Sequence, residues 1–205
     1  IEGQKWRIFY FSASVSSPGR AGLLTGRLGV RTGMYGDQRR VLFPDSKGGL
    51  PSEELTIAEL LRQAGYHTAC IGKWHLGHLP EYMPLRHGFD YFYGYPSSND
   101  MSRKEQIKLG NTKYPSEYII YEQEKELERE PQQYNLTQQV TEAAIRYIKS
   151  NENSPFFLNL AHPMPHMPVY ASTDFQGKSA RGKYGDTVEE LDWSVGQILQ
   201  TLKSE

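Results

Sequence analysis

Short apolar segments alternate with amphipathic helical segments along this chain, and this alternation constrains the fold more than any other feature. The predicted strands are residues 8–11, 67–72 and 155–161. The predicted helices are residues 55–65, 135–149 and 186–203. Strands that alternate with helices typically form a parallel sheet. The sequence therefore predicts an α/β fold, with a largely parallel sheet flanked by helices, in a single partial domain spanning residues 1–205.

Each predicted helix begins with a capping signal. Thr56 and Glu59 have the spacing of a capping box, Asn135 is a candidate N-cap, and Asp186 with Glu189 forms a second candidate cap pair. Two of the helices also carry apolar residues at helical spacing, which predicts a core-facing stripe on each. These stripes are Leu136, Val140, Ala144, Tyr147 and Ile148, and then Val188, Leu191, Val195, Ile198 and Leu202.

The segment after the first predicted strand has the composition of an anion site. Residues 8–11 are short enough for a buried strand, and Pro18 suits the first turn of a helix. This places Ser16 at a helix N-terminus, where backbone N–H groups attract anions. Arg20 and Arg27 add two guanidinium groups, which bind sulfate or phosphate well. An ordinary serine-rich turn between a strand and a helix is the alternative.

Two later loops follow predicted strands and carry candidate functional side chains. Lys73 and His75 come directly after strand 67–72 and lie on the same side of an extended backbone. His162 and His166 lie in a loop after strand 155–161, and its three prolines exclude a helical pair of metal ligands. Ligands of open α/β sheets bind at the carboxyl ends of strands, so these loops are candidate parts of one site.

The motifs resemble those of the sulfatase family. Ser-Ser-Pro-Gly-Arg at 16–20, with Leu-Thr-Gly-Arg at 24–27, is similar to the sulfatase signature Cys-x-Pro-Ser-Arg followed by Leu-Thr-Gly-Arg. Serine replaces the usual Cys, and glycine replaces the usual Ser. Gly-Lys-Trp-His-Leu-Gly at 72–77 and Pro-His-Met-Pro at 165–168 resemble two further sulfatase elements. The resemblance covers nearly the whole chain, and the branch that contains arylsulfatase A and N-acetylgalactosamine-6-sulfatase looks nearest.

This resemblance implies an alkaline-phosphatase-like sulfatase fold and a catalytic centre at position 16. In the family, the residue at this position is oxidised to formylglycine, whose hydrated form is the nucleophile. Arg20 and Lys73 would stabilise the sulfate oxygens, and His75 would contact the formylglycine hydroxyl. Position 16 also belongs to the metal site of the family.

The substrate side of the pocket is assigned on the same basis. His166 would protonate the leaving alcohol. Ser98, in Pro-Ser-Ser-Asn-Asp at 96–100, is the candidate for a further contact with the substrate, with a plain turn as the alternative. The substrate-binding candidates are therefore Lys73, Ser98 and His166.

The resemblance also implies a Ca²⁺ cofactor, but most of its ligands are missing from this sequence. In the family, a carboxylate pair after the first strand and an Asp-Asn-Gly segment hold the ion. Neither occurs here, and Ser16 is the one recognisable ligand. Because the chain also begins on Ile1 rather than Met, we expect a fragment that lacks the N-terminal strand and the C-terminal part of the family domain.

Composition excludes several classes of function. A net charge of −1 provides no overall basic field for nucleic acid, and no apolar run approaches the roughly 20 residues of a membrane span. Cys70 is the one cysteine, which excludes an internal disulfide framework. Residues 101–131, rich in Lys, Glu and Gln, predict a solvated, variable excursion that shapes substrate access.

Three functions remain open at this level. The first is hydrolysis of a sulfated carbohydrate or an aryl sulfate, which would require a formylglycine-generating maturation enzyme as a partner. The second is a phosphatase or phosphonate-ester hydrolase of the same superfamily. The third is a non-catalytic binder of sulfated glycans with an unmodified Ser16. The motifs at 72–77 and 165–168 favour the sulfatase, for which the resemblance implies a secreted, periplasmic or lysosomal location.

Overall fold

The computed structural model describes residues 7–36, 39–112 and 117–204, and a five-stranded sheet with helices on both faces dominates them. The strands are β1 (His67–Lys73), β2 (Tyr91–Tyr95), β3 (Ile119–Glu122), β4 (Lys125–Arg129) and β5 (Phe156–Ala161). The helices are α1 (Ser16–Thr25), α2 (Ile57–Gln63), α3 (Arg103–Lys108), α4 (Leu136–Ser150) and α5 (Gly182–Ser204). The predicted α/β class is confirmed. None of these helices is both long enough and apolar enough to cross a bilayer.

The strand order β4-β3-β2-β1-β5 places β1 between β2 and β5, and β1 is parallel to both. The carboxyl ends of these three strands therefore meet at one edge of the sheet. β3 and β4 form an antiparallel hairpin that extends the sheet beyond β2. This hairpin lies within the charged stretch 101–131, where Tyr118 and Ile120 are buried although every residue of β4 is exposed.

Alternate residues of β1 supply the two cores, one on each face of the sheet. Ala69 and Ile71 pack on the side of α4, while Cys70 packs on the side of α1 and α2. The predicted apolar stripe of α4 is confirmed, since all five of its residues are buried. Burying each of the large apolar side chains in this stripe contributes about 1.5–3 kcal/mol. This packing fixes the sheet, and thereby the loops at its edge.

Residues 8–11 do not form the buried strand that their apolar character predicts. They are irregular in backbone and exposed, with Ile8 at 74% and Tyr10 at 89% exposure. No described strand pairs with them. A strand is stabilised by cross-strand pairs rather than by apolar composition, so the run alone is insufficient. β5 forms as predicted but is only partly buried, because it is the edge strand of the described sheet.

The start of α5 also differs from the prediction. The helix begins at Gly182, four residues before Asp186, so Asp186 does not cap it. The Asp186 carboxylate instead accepts backbone hydrogen bonds from Gly177, Lys178 and Ser179 at 2.9, 3.1 and 2.8 Å. These bonds lower the pKa of Asp186 below its usual value. Asp186 therefore stabilises the turn that precedes α5.

The face of α5 that the apolar spacing predicts to be buried is mostly exposed. Val188, Val195 and Leu202 are 41%, 49% and 47% exposed, and of the predicted stripe only Ile198 is buried. Polar side chains fill the inner face instead. Glu190 accepts a hydrogen bond from Ser172 N at 3.0 Å, and Ser194 Oγ lies 2.6 Å from Thr141 Oγ1 on α4. These directional bonds, rather than apolar burial, set the rotation of the helix.

The predicted cap of α2 forms, whereas the predicted side-chain cap of α4 does not. Thr56 and Glu59 form the complete capping box at the start of α2, as predicted. Asn135 occupies the N-cap position of α4, but its side chain makes no capping hydrogen bond. A 3-10 turn, Gln133–Asn135, leads directly into α4, so the backbone of Asn135 is already helical. A side chain caps a helix best from an extended backbone, which Asn135 lacks.

Candidate active site

The predicted site residues converge at the carboxyl edge of the sheet. The backbone pairing of β1 and β2 continues beyond both strands, because Trp74 N donates to Tyr95 O and His75 N donates to Pro96 O, both at 3.0 Å. This pairing holds His75 beside the segment that carries Ser98. The N-terminus of α1 and the loop after β5 approach from the other side, and together they surround Ser16.

Ser16 lies in the first turn of α1, and its hydroxyl joins two of the predicted residues. Arg20 Nε, one helical turn later, donates to Ser16 Oγ at 3.0 Å. His75 Nδ1 lies 2.9 Å from the same oxygen. Residues four apart share a helix face, so the spacing of Ser16 and Arg20 produces the first contact directly. The second contact depends on the tertiary fold.

The backbone of the loop 39–46 determines the proton position on His75. His75 Nε2 lies 2.8 Å from the carbonyl oxygen of Leu42, which can only accept a hydrogen bond. Burial and the charge on Lys73 hold the pKa of His75 well below its usual value, so the imidazole is neutral. Nε2 therefore carries the single proton, and Nδ1 accepts the hydrogen bond from Ser16 Oγ. His75 has a φ of 60°, in a region that residues other than glycine adopt only when their surroundings require it.

Arg20 and Lys73 form the cationic part of the site. Arg20 Nη1 donates to the backbone carbonyl of Lys73 at 2.7 Å. The Lys73 side chain is buried, and its Nζ donates to Ser98 Oγ at 2.8 Å. Burial, and next the charge of Arg20, lower the pKa of Lys73 to about 7, while Asp100 opposes this shift. Ser98 is thus a buried partner of the sulfate-binding candidate rather than an isolated turn residue.

His166 lies at the outer side of the same site. The loop that carries it is irregular, as its prolines predict, and the His166 side chain is 48% exposed. Its Nδ1 donates to the backbone carbonyl of Met167 at 2.6 Å and lies 3.8 Å from Asp100 Oδ1. His166, Ser98, His75 and Ser16 line one cavity of about 440 Å³. The hydroxyl of Ser16 therefore lies at the inner end of the cavity, and the exposed imidazole of His166 lies at its opening.

His162 is separate from this cavity. Its Nε2 bonds Ser194 Oγ on α5 at 3.1 Å, and it lines a larger neighbouring cavity of about 720 Å³ that also borders Ser16, Arg20, Lys73 and His166. Burial lowers its pKa to about 4, so the ring is neutral at physiological pH. Its hydrogen bond connects the loop after β5 to α5, which is a structural role.

Arg27 does not join the site, contrary to the prediction of a second guanidinium group there. Its Nη1 donates to both carboxylate oxygens of Glu54, at 2.7 and 2.9 Å. The Glu54 side chain is 9% exposed and that of Arg27 is 50% exposed. The ion pair fastens the end of α1 to the segment that precedes α2. Arg20 is therefore the arginine of this signature that reaches Ser16.

Replacing Arg27 by alanine is expected to lower stability rather than binding. The change leaves the nearly buried Glu54 carboxylate without this partner, which costs about 1–3 kcal/mol of unfolding free energy. Urea denaturation of the protein and of Arg27→Ala measures the difference. Arg31→Ala, at an exposed position of the following loop, is the control. Equal stability of both variants would contradict the structural role of the Arg27–Glu54 pair.

Comparison with known proteins identifies the family. A family model for sulfatases matches residues 2–205. The chain belongs to the sulfatase family. It is 40% identical to N-acetylgalactosamine-6-sulfatase of Mus musculus over 99% of this chain and 41% of that protein. It is 37% identical to arylsulfatase A of Bos taurus over 98% of this chain and 41% of that protein. The chain thus spans about two fifths of the length of these curated relatives.

A solved structure supports the same conclusion at the level of the fold. The crystal structure of Ps i-CgsB in complex with k-i-k-neocarrahexaose matches 95% of this chain and 46% of its own chain, with a TM-score of 0.74 and 29% identity. The predicted alkaline-phosphatase-like sulfatase fold is therefore confirmed. The predicted resemblance to N-acetylgalactosamine-6-sulfatase and arylsulfatase A is confirmed as well.

The described residues around Ser16 do not fit the Ca²⁺ ion that the sulfatase family implies. Calcium requires six to eight oxygen ligands, several of them carboxylates. The partners of Ser16 Oγ are instead the guanidinium of Arg20 and the imidazole of His75. Within the described ranges, no three or more His, Cys, Asp or Glu residues are grouped so that they could hold a metal ion.

Two groups at the site were not predicted from the sequence. The carbonyl of Leu42 orients His75, but a backbone acceptor has no signature in the sequence. Asp100 lies in the 3-10 turn Asn99–Met101, two residues after Ser98, and lines the cavity of Ser16 and His166. Asp100 could have been found from the sequence, because it is an acidic residue close to Ser98 in the segment 96–100. That segment was considered only for Ser98, with a plain turn as the alternative.

Proposed function

We propose that this protein hydrolyses sulfate monoesters through a formylglycine nucleophile at position 16. The observation that carries this proposal is the position of the Ser16 hydroxyl, 3.0 Å from Arg20 Nε and 2.9 Å from His75 Nδ1. One partner is a cation that binds sulfate oxygens, and the other is a neutral imidazole that accepts a proton. A nucleophile with an adjacent base and an adjacent anion-binding group has the arrangement that covalent catalysis requires.

The substrate sulfate would bind against Arg20 and Lys73 at the N-terminus of α1. Lys73 is buried and Arg20 is half-buried, so their charges act on the sulfate with less screening than at an exposed surface. Lys73 is held by Ser98 and Arg20 is held by the carbonyl of Lys73, which fixes both donors before the substrate arrives. Donors held in place stabilise charge that develops in the transition state without further reorganisation.

Covalent attack requires an oxidised position 16. A maturation enzyme would transfer two electrons and two protons from Ser16 to an electron acceptor of its own, converting the Cβ alcohol to an aldehyde, which water hydrates to a geminal diol. One diol hydroxyl releases its proton to water as its oxygen attacks sulfur, and the bond between sulfur and the leaving oxygen breaks. His166 donates a proton to that oxygen, so the alcohol departs neutral. The sulfate group is then esterified to the former Ser16 side chain.

Release of sulfate would use the second diol hydroxyl. His75 is neutral, and its Nδ1 lone pair faces the oxygen of residue 16. Nδ1 takes the hydroxyl proton, the carbonyl re-forms, and the C–O bond to sulfate breaks. The aldehyde is regenerated, and the net reaction consumes one water molecule. An unmodified serine has no second hydroxyl and could not complete this step.

We further propose sulfated glycans as the substrates, and a secreted, periplasmic or lysosomal location. Two findings support the substrate class: the similarity to N-acetylgalactosamine-6-sulfatase and the oligosaccharide in the Ps i-CgsB complex. His166 lies at the exposed mouth of the cavity, where a leaving group as large as a sugar has room. The stretch 101–131 contributes Met101 to the cavity lining and is the proposed determinant of substrate access.

The proposal is tested by the chemical state of residue 16 and by the choice of substrate. Mass spectrometry of the peptide that contains Ser16, isolated from the native source, should find formylglycine. The same preparation should cleave nitrophenyl sulfate faster than nitrophenyl phosphate. Preference for the phosphate would favour the phosphatase alternative. Tight binding of sulfated oligosaccharide with unmodified Ser16 and no turnover would favour the glycan binder.

Sulfate affinity is expected to decrease as pH rises through about 7. The folded-state pKa of Lys73 is lowered to about 7, so Lys73 is charged below this pH and neutral above it. His75 is neutral across the range and does not contribute. Affinity for inorganic sulfate, measured by calorimetry, should fall about tenfold between about pH 6 and about pH 8.5. Lys73→Met should bind weakly at both, and a pH dependence that persists in this variant would assign it to another group.

A further inference from the structure

Asp100 is a carboxylate in a pocket whose other charged groups bind an anion. Its Oδ1 is buried and has no hydrogen-bond partner among the described residues. The same oxygen lies 3.8 Å from His166 Nδ1, and Asp100 lines the cavity that contains Ser16. The side chain as a whole is 34% exposed, and a carboxylate in this pocket opposes the binding of sulfate. Its presence therefore requires an explanation that the steps above do not provide.

The geometry between Asp100 and His166 is held by a buried amide pair. Asn99 is fully buried, and its Nδ2 donates both to Pro168 O at 3.1 Å and to Gln133 Oε1 at 3.2 Å. Gln133 Nε2 returns a hydrogen bond to Asn99 O at 3.0 Å. The turn that carries Asp100 is thereby fastened to the loop that carries His166. The backbones of Asp100 and His166 are consequently held beside each other, and their side chains lie 3.8 Å apart.

The hydrogen bonds of His166 determine which ring nitrogen can donate a proton and which charge the ring must carry before it does so. Nδ1 pairs with the carbonyl of Met167, which can only accept, so Nδ1 already carries a proton. An acid that protonates the leaving oxygen must release its proton from Nε2. Both nitrogens are then protonated before the transfer, the ring is cationic, and it becomes neutral afterwards. A negative charge 3.8 Å away favours the cationic state.

We propose that Asp100 is a positioning residue that keeps His166 in its cationic, proton-donating form. This inference rests on the proposed function, because it assigns a partner to the proposed general acid. Arg40 lines the same cavity and disfavours a second cation there, whereas Arg39, which also lines it, is paired with Asp45 at 2.5 and 2.9 Å. Asp100 also raises the pKa of Lys73, opposing its burial and Arg20. Asp100 therefore acts on the sulfate group through Lys73 and on the leaving alcohol through His166.

Leaving-group dependence separates the two influences. An effect through Lys73 changes sulfate binding, and therefore changes rates equally for all esters. An effect through His166 changes only those esters whose leaving alcohol needs a proton. In the matured enzyme, Asp100→Asn should slow alkyl sulfates about fivefold to tenfold more than nitrophenyl sulfate. Asp100→Glu should recover part of this difference, and Asp174→Asn, at an exposed position outside the cavity, should show none. Equal slowing of both ester classes by Asp100→Asn would overturn the proposal.

A second measurement does not depend on activity. The ring nitrogen shifts of His166 in the NMR spectrum distinguish the cationic from the neutral ring. At a pH where the spectrum of the unchanged protein contains both forms of His166, Asp100→Asn should clearly reduce the cationic fraction. An unchanged fraction would overturn the proposal for Asp100, whatever the kinetics. A protein with no activity on any sulfate ester, but with the expected NMR change, would instead refute the proposed function and retain the Asp100–His166 coupling.

Discussion

Replacing Ser16 by alanine is expected to abolish turnover of sulfate esters, with a loss of at least about 10⁴-fold, because it removes the covalent nucleophile. The sulfate group should still bind, because Arg20 loses its bond to Ser16 but keeps its bond to the carbonyl of Lys73, and Lys73 keeps its bond to Ser98. The measurements are steady-state rates with nitrophenyl sulfate and calorimetric binding of inorganic sulfate. Ser12→Ala, at an exposed position of the same segment, is the control.

The protein with an unmodified serine at position 16 tests separately whether the release of sulfate needs the second hydroxyl. It retains one hydroxyl and should at most form a sulfate ester once, without releasing it, because no second hydroxyl can re-form a carbonyl. Ser16→Cys, co-expressed with a formylglycine-generating enzyme, should restore multiple turnovers. Mass spectrometry of the serine form after exposure to substrate should detect the trapped ester or unreacted serine. Multiple turnovers by the unmodified serine form would place the nucleophile elsewhere.

Replacing His166 by alanine is expected to divide substrates by the basicity of their leaving group. Alkyl and sugar sulfates should slow by about 10²–10⁴-fold, the usual contribution of a general acid. Nitrophenyl sulfate, whose leaving phenolate needs no proton, should slow by less than about tenfold. Rates for a series of esters with graded leaving groups measure this. His67→Gln, an exposed histidine at the start of β1, is the control, and a uniform loss across the series would refute the assignment.

The elements of the site could be predicted from the sequence because each belongs to a local pattern. Ser16 and Arg20 are one helical turn apart, so their contact follows from the start of α1 alone. Lys73 is the last residue of β1 and His166 lies in the loop after β5, and the parallel arrangement of these neighbouring strands brings the two residues to the same edge of the sheet. Local periodicity and the rule that ligands bind at strand ends are sufficient for these residues.

The parts that could not be predicted depend on partners distant in the sequence. Arg27 is a plausible sulfate ligand until Glu54, 27 residues later, is seen to bind it. The charged composition of 101–131 concealed the hairpin of β3 and β4, which is stabilised by pairing with β2 rather than by its own apolar pattern. The rotation of α5 depends on Ser194 and Glu190 contacting residues 53 and 18 positions away. No helical periodicity contains this information.

The polar inner face of α5 has a mechanical consequence for the catalytic loop. Thr141 on α4, Ser194 on α5 and His162 form a continuous row of hydrogen bonds, at 2.6 and 3.1 Å, that ends in the loop after β5. Hydrogen bonds form only within a narrow range of distance and angle, so this row fixes the alignment of the three segments that it joins. α4 and α5 therefore hold the start of this loop in a fixed position relative to the sheet. His166, four residues further on, approaches the substrate from an anchored base, even though its own side chain extends into solvent.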